Sequence, residues 1–398
     1  MNELIYLDNA ATTPTDQRVL EAMYPYFTEY YGNPSTFYSL GRKSRNAVEE
    51  ARSLIAALLG AAKSEEIVFT SGGSESNNLV IKGLALQQKS RGNHIVTTKI
   101  EHNSVLKTCQ ALEESGFSVT YLPVDRYGMI SLEDLNNALT PQTTLITIMT
   151  ANNEVGTIQP VEEIAALAFE KGIVFHTDAV QAVGTLEVNA AKMGVDALSV
   201  SSHKFYGPKG VGAALVKKHL ELFSLIHGGE QENHLRAGTE NVPGIVGMAK
   251  ALELAYRERE ERNHKIKPLR DKLIKGVLER IPEVLLTGHP EKRTANSASF
   301  AFKGVEAGWL LRALAESGIC VSSGSACSSK STAGSHVLMA LGLSDDMVQG
   351  SLRITIGKHN REPEIDFLLD RLVELVTNYR EAPEGKIFCS LDLEGSKI

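Results

Sequence analysis

Three short motifs place chemically capable residues at the ends of apolar runs. Ile67-Val68-Phe69-Thr70-Ser71-Gly72-Gly73-Ser74-Glu75-Ser76-Asn77-Asn78 passes from a strand pattern through two glycines into a helix opened by hydroxyl and acidic residues. Glycine lets a backbone approach a ligand closely, and the free N–H groups at a helix start favour an anion. Ser201-Ser202-His203-Lys204-Phe205-Tyr206-Gly207-Pro208-Lys209-Gly210 follows a buried strand pattern, so Lys204 falls where a strand ends and a ligand crevice opens. An amine at such a place can form a Schiff base with a carbonyl compound. In Val174-Phe175-His176-Thr177-Asp178-Ala179-Val180-Gln181 an acid closes an apolar strand, where it is costly to bury unless paired. Taken singly, the motifs have plainer readings as a strand–helix turn, a surface-loop lysine and a helix N-cap.

Together they change the balance. An anion cradle, a carbonyl-reactive amine and a buried acid that can face a pyridinium nitrogen all suit one cofactor, pyridoxal phosphate. The four cysteines, Cys109, Cys320, Cys327 and Cys389, include no CxxC pair, so neither a metal site nor a disulfide framework is expected. Cys327 lies in a Ser/Gly stretch with few apolar neighbours, where core packing explains it poorly and a nucleophilic thiolate explains it better. Cys320, within Gly318-Ile319-Cys320-Val321, reads as a core residue, and Cys109 falls on a helical segment. In Leu352-Arg353-Ile354-Thr355-Ile356 the alternation sets Arg353 and Thr355 opposite the apolar face. Its planar fork can grip a carboxylate at two points, although pattern alone favours a solvent-facing arginine on an edge strand.

These residues need a scaffold, and the chain supplies an α/β pattern. Strands are predicted at Ile67–Thr70, His94–Thr98, Val119–Val124, Thr144–Met149, Ile173–Thr177, Ala197–Ser201 and Gly212–Val216, with helical stretches between them. Several are apolar throughout, as in a mainly parallel sheet covered on both faces. A long charged helix from Pro243 to about Arg280, with Pro268 as a break or kink, leads to a smaller α/β unit. There, strands are expected at Ser297–Phe302, Ile319–Ser322 and Leu352–Ile356, and helices near Glu306–Ser317, Ser335–Leu341 and Pro363–Tyr379. Residues 322–335, half of them serine, should form a mobile loop. The 398 residues are enough for two domains. The net charge of −7 argues against direct nucleic-acid binding, and no apolar run reaches a membrane span. With no secretory signal visible at the start, a cytoplasmic protein is expected.

At this point a resemblance becomes plain. Leu7-Asp8-Asn9-Ala10-Ala11-Thr12-Thr13, GNPS at 32–35, TSGGSESNN, ANNEVG at 151–156, HTDAVQA, SSHKFYGPKG, RAGTENV at 236–242 and SSGSAC at 322–327 occur in the order seen in cysteine desulfurases. These are class V aminotransferase superfamily members with the fold-type I architecture of pyridoxal-phosphate enzymes, and the SGSAC loop resembles the NifS/IscS type. The match covers nearly the whole chain and fades after about Asn378. It implies a large cofactor domain over 15–262 and a small domain from 1–14 and 263–398 that carries the catalytic loop. It also implies roles. Gly73, Ser74, Ser201 and His203 hold the phosphate, joined by Thr239 from the other subunit of a homodimer. His102 stacks on the ring and can also carry a proton in catalysis, Asp178 pairs with the ring nitrogen, and Asn153 and Gln181 bond the ring's 3-oxygen. Asn33 and Arg353 grip the substrate carboxylate, Lys204 holds the cofactor, and Cys327 receives sulfur from L-cysteine. The sulfur would go on to an acceptor protein, such as an iron–sulfur scaffold or a thiolation enzyme. Tyr38 stands where the family often has His, Thr332-Ala333-Gly334 replaces a common Leu-Glu-Pro, and the tail with Cys389 does not resemble the docking segment of some relatives. A related pyridoxal-phosphate lyase or aminotransferase, with Cys327 incidental, and a non-catalytic scaffold protein are the other readings.

Overall fold

The computed structural model describes residues 4–323 and 334–382. The chain enters through a two-residue strand, β1 (Ile5–Tyr6), which pairs in parallel with Ile319–Cys320 and so ties the start of the chain to its last third. A seven-stranded sheet follows, built from β2 (Ile67–Thr70), β3 (His94–Thr98), β4 (Ser118–Leu122), β5 (Thr143–Thr147), β6 (Val174–Asp178), β7 (Ala197–Ser201) and β8 (Gly212–Val216). Their order is β2-β8-β7-β6-β5-β3-β4. β8 runs antiparallel to both of its neighbours, and the other pairs are parallel.

The apolar runs are continuous because both faces of the sheet are covered, and the period of two shows how. Ile95, Leu145, Val174, Ala197 and Ala214 face a cluster formed with helices Gly73–Gln87 and Asn103–Glu114. Their immediate neighbours Val96, Ile146, Phe175, Leu198 and Leu215 face the other way, into a cluster with helices Ser39–Leu59, Val161–Lys171 and Val242–Arg257. Of the two edge strands, β2 is buried throughout and β4 is half-exposed.

A third apolar cluster, which includes Leu7, Phe300, Phe302, Leu310, Ile354 and Leu372, lies around a smaller antiparallel sheet. That sheet holds β9 (Val284–Leu286), β10 (Ser297–Phe302) and β12 (Ser351–Thr355), with β10 central; the partner of β1, β11 (Ile319–Cys320), stands apart from it. Helix Glu362–Glu381 packs its Leu368, Leu369 and Leu372 against this core.

The connector differs from expectation. Its break falls at Glu258, between helices Val242–Arg257 and Arg259–Arg280, and Pro268 sits inside the second helix. Arg18 and Arg262 both hold the Glu258 carboxylate at 2.6 Å, which fixes the corner. The missing donor of Pro268 is tolerated in a helix anchored by buried Ile266, Leu273 and Val277. Two further expectations need correction. Cys320 is half-exposed rather than a core residue, because it lies on a strand of only two residues. Arg353 does not face solvent, although β12 is an edge strand: all five residues of β12 are buried, because Asp8 bridges to Thr355 and Ser322 bridges to Arg353 along the open edge. Among the described residues no helix is long and apolar enough to cross a membrane.

Candidate active site

The residues singled out above gather at the carboxyl ends of the parallel strands, where open α/β sheets bind ligands. β6 ends on Asp178, β7 leads directly to the turn Ser202–Lys204, β2 leads to Gly72 and Gly73, and the chain leaving β3 reaches His102. A cavity of about 310 Å³ opens there. Its wall includes Gly73, Ser74, His102, Asn153, Asp178, Gln181, Ser201, His203, Lys204 and Arg353. A larger cleft of about 840 Å³ lies beside Tyr6, Lys209 and Arg361, but it contains none of these residues.

Each side chain has a defined setting. The Asp178 carboxylate accepts from Val180 N–H at 2.9 Å and from Asn77 Nδ2 at 2.7 Å. Lys204 Nζ donates to the carbonyls of Ala10 and Ala11 at 2.7 and 2.8 Å, and Gln181 Nε2 donates to the same Ala10 carbonyl at 3.0 Å. The first residues of the chain therefore form one side of the site. His203 shares a hydrogen bond with Thr12 Oγ1 at 3.1 Å, and burial, with the nearby Lys204 and Lys209, lowers its pKa to about 4. His102 caps helix Asn103–Glu114, its Nδ1 accepting from Ser104 N–H. Burial lowers its pKa, Asp178 opposes that shift, and Lys204 and His336 add to it. Gly72 adopts φ +149°, a conformation that side chains strain, and a Cβ on Gly212 of β8 would stand 2.6 Å from Gly72 Cα. Two glycines thus let a strand pass close beneath the helix start, whose first N–H groups have no helical partner.

Arg353 projects from β12 with Nη1 donating to the Asn153 carbonyl at 3.0 Å and Nη2 paired with Asp8 at 2.9 Å. Its Nε is buried without a partner, as is Asn77 Oδ1, and both residues line the cavity.

The segment carrying Cys327 lies outside the described residues, and so does Cys389. Both shoulders of that segment touch the site. Ser322 exchanges backbone hydrogen bonds with Arg353 at 2.6 and 3.1 Å. Downstream, Ser335 Oγ donates to the Glu154 carboxylate, and His336 Nε2 donates to the carbonyl of Glu101 at 2.9 Å. Burial pushes Glu154 up to about 7, against the pull of Ser335 and Arg353. It pushes Glu101, which accepts from Met149 N–H and Thr98 Oγ1, up to about 8.

Two expected residues are not brought to the cavity within one chain. Asn33 lies in an exposed turn where its Oδ1 accepts from Ser35 N–H. Thr239 lines a separate recess beside Ser71 and Gly238. Asp8, Asn77, Glu101, Ser104 and Glu154 belong to the site surroundings without having been singled out by the sequence pattern, although each stands inside or beside one of its motifs.

The donor set fits pyridoxal phosphate. An acid, an amine and an unsatisfied helix start reach one cavity from three different strands, and its volume suits a small cofactor. Comparison with known proteins agrees. The aminotransferase class-V family model matches residues 5–368. The cysteine desulfurase IscS of Clostridium botulinum strain Hall is 50% identical over 383 residues, 96% of each chain. That of Methanosarcina thermophila is 50% identical over 379 residues, 95% of this chain and 93% of its own. A solved NifS-like protein superposes with a TM-score of 0.89 at 40% identity, covering 94% of this chain and all of its own. SspA in complex with cysteine gives 0.79 at 39% identity, over 90% of this chain and all of its own. The chain belongs to the class-V aminotransferase family, and within it to the pyridoxal-phosphate-dependent cysteine desulfurases of the NifS/IscS type.

Proposed function

We propose that the protein converts L-cysteine to L-alanine and keeps the sulfur as a persulfide on Cys327. The observation that carries this reading is that Arg353 lines the same cavity as Lys204 and Asp178 and pairs through its backbone with Ser322, where the Cys327 segment departs.

Bound pyridoxal phosphate supplies an electron sink next to the substrate Cα. The residues do the rest. Gly73, Ser74, Ser201 and His203 hold the phosphate at the helix start, with Thr239 serving the phosphate of a second copy, so that a homodimer is the working unit. Asp178, lining the cavity, would favour a proton on the ring nitrogen by opposing its charge, Asn153 and Gln181 would bond the ring oxygen, and His102 would stack on the ring. Lys204 would hold the cofactor, and its Nζ would be the base that takes the proton from the substrate Cα. Arg353, with Asn33 from a second copy, holds the substrate carboxylate. The Cys327 thiolate then attacks the substrate sulfur: an S–S bond forms, the Cβ–S bond breaks, and its electron pair stays with carbon, which takes up a proton and leaves as alanine. The persulfide passes to an acceptor protein in the cytoplasm, such as an iron–sulfur scaffold or a thiolation enzyme, with no direct part for nucleic acid or membrane.

The test is to mix the holoenzyme with L-cysteine and assay alanine together with the intact mass of the Cys327 peptide. One added sulfur per alanine in a single turnover is expected. Cys327→Ala should keep its cofactor and form no persulfide. Alanine released at the wild-type rate by that variant, or amino-group transfer in place of sulfur release, overturns the reading.

A further inference from the structure

Asn77 and Ser104 have no part in that scheme, yet together they span the gap between its acid and its imidazole. Asn77, on helix Gly73–Gln87, is 1% exposed. Its Nδ2 donates both to Asp178 Oδ2 at 2.7 Å and to Ser104 Oγ at 2.8 Å. Turning the amide over would set Oδ1 against the carboxylate, so the amide orientation follows from Asp178. Ser104 Oγ, having accepted from Asn77, has one proton to give, and the atom in reach is His102 Nδ1 at 2.8 Å. The Ser104 backbone N–H donates to the same nitrogen at 3.1 Å. A ring nitrogen that receives two donors carries no proton of its own. Nδ1 is therefore committed to the helix start, and Nε2 is the one polar ring atom left for anything bound in the cavity.

We propose that Asn77 and Ser104 are positioning residues that couple the Asp178 carboxylate to the His102 ring and hold that ring as the neutral tautomer with its proton on Nε2. In this state His102 offers a hydrogen-bond donor to the cavity and cannot act as a base at Nε2. Taking up a proton at Nδ1 requires the Ser104 hydroxyl to turn away and the Ser104 N–H to lose its acceptor. The charged and titratable groups facing the ring are Asp178, which favours the imidazolium, and Lys204 and His336, which oppose it. Burial adds to the opposition. Ser104 thus acts through His102, and Asn77 acts through both Ser104 and Asp178.

The experiment is nitrogen NMR of the full-length holoenzyme with labelled histidine, His102 being identified by the signal lost in His102→Gln. Wild type should show the Nε2-protonated neutral pattern throughout neutral pH. Ser104→Ala, which leaves only the backbone N–H on Nδ1, should admit a measurable fraction of the other tautomer and move the His102 titration toward the ordinary range near pH 6.5. Ser104→Thr, which keeps the hydroxyl, should restore both. In steady-state kinetics Ser104→Ala should lower kcat about tenfold, the value of one lost hydrogen bond, with KM little changed. A wild-type ring protonated on Nδ1, or a His102 tautomer and titration unaltered by Ser104→Ala, overturns the proposal. These signals report the ring alone, so they are independent of whether sulfur reaches Cys327.

Discussion

Arg353 and Asp8 meet at 2.9 Å across the seam where the first residues of the chain lie along its last strand. The pair is nearly dry on the arginine side, and a second guanidinium nitrogen is taken by the Asn153 carbonyl. The remaining Nε has no partner. A carboxylate entering the cavity therefore meets a guanidinium already oriented by Asp8 and the Asn153 carbonyl, its charge partly offset by Asp8.

Arg353→Ala should weaken L-cysteine binding by about one to two powers of ten, the worth of a charge-assisted contact of roughly 1.5–3 kcal/mol. Cofactor content should not change. Lysine should rescue poorly, since it keeps the charge and loses the fork. Spectral titration with L-cysteine and with cysteamine, which lacks the carboxylate, separates the roles. Equal losses for both ligands would make Arg353 purely structural.

Borohydride reduction of the holoenzyme should fix a pyridoxyl group on Lys204, because its amine is held in the cavity that Asp178 and the helix start define. Peptide mass mapping reads the result. A label on another lysine would remove Lys204 from the centre of the scheme.

Arg52→Ala should destabilise the protein by about 3–5 kcal/mol, the usual cost of leaving a buried partner charge uncompensated. Arg52 grips both oxygens of Glu232 at 2.7 and 2.8 Å, and Glu232 also accepts from Phe69 N–H. Glu232, Asn233 and His234 all have positive φ, so this ion pair fastens a strained segment to β2 just before the chain reaches Thr239. Denaturant unfolding measures the loss, and a change below about 1 kcal/mol would show that the segment is held by other contacts.

Glu101→Gln should flatten the dependence of stability on pH. Burial raises Glu101 from 4.5 to about 8, so over that interval the folded chain keeps a proton that the unfolded chain has released. The stability from this group is whole below its unfolded pKa and is lost as pH rises through about 8. Wild-type melting temperature should fall over that range by an amount corresponding to a few kcal/mol, and the variant should lose that part of the slope. Parallel curves for the two proteins would contradict the assignment.

The central sheet was legible in the residues because six of its strands are buried from end to end, which leaves apolar runs that no amphipathic helix would show. Asp178 and Lys204 stood out because charge at the end of such a run needs a reason. What surrounds them was hidden. Asp8 and Arg353 are 345 positions apart, and Asn77 is 101 from Asp178, so no local period links them. The connector corner was misplaced because proline is a visible signal in a sequence, whereas one of the two ion pairs that fix Glu258 comes from Arg18, far away in the chain.

The segment from Asp8 to Thr13 has a consequence for how the enzyme comes into being. Its partners are Arg353 and Thr355 on one side, and Gln181, His203 and Lys204 on the other. At ordinary translation rates of about 5–20 residues per second, Asp8 is added to the chain roughly 20–70 s before Arg353. The central sheet can form in that interval, but one wall of the cavity must wait for a strap whose other anchor does not yet exist. Cofactor loading is therefore expected to be a late event that reports completion of the whole chain, and a nascent protein halted before β12 should hold its sheet and lack a closed site.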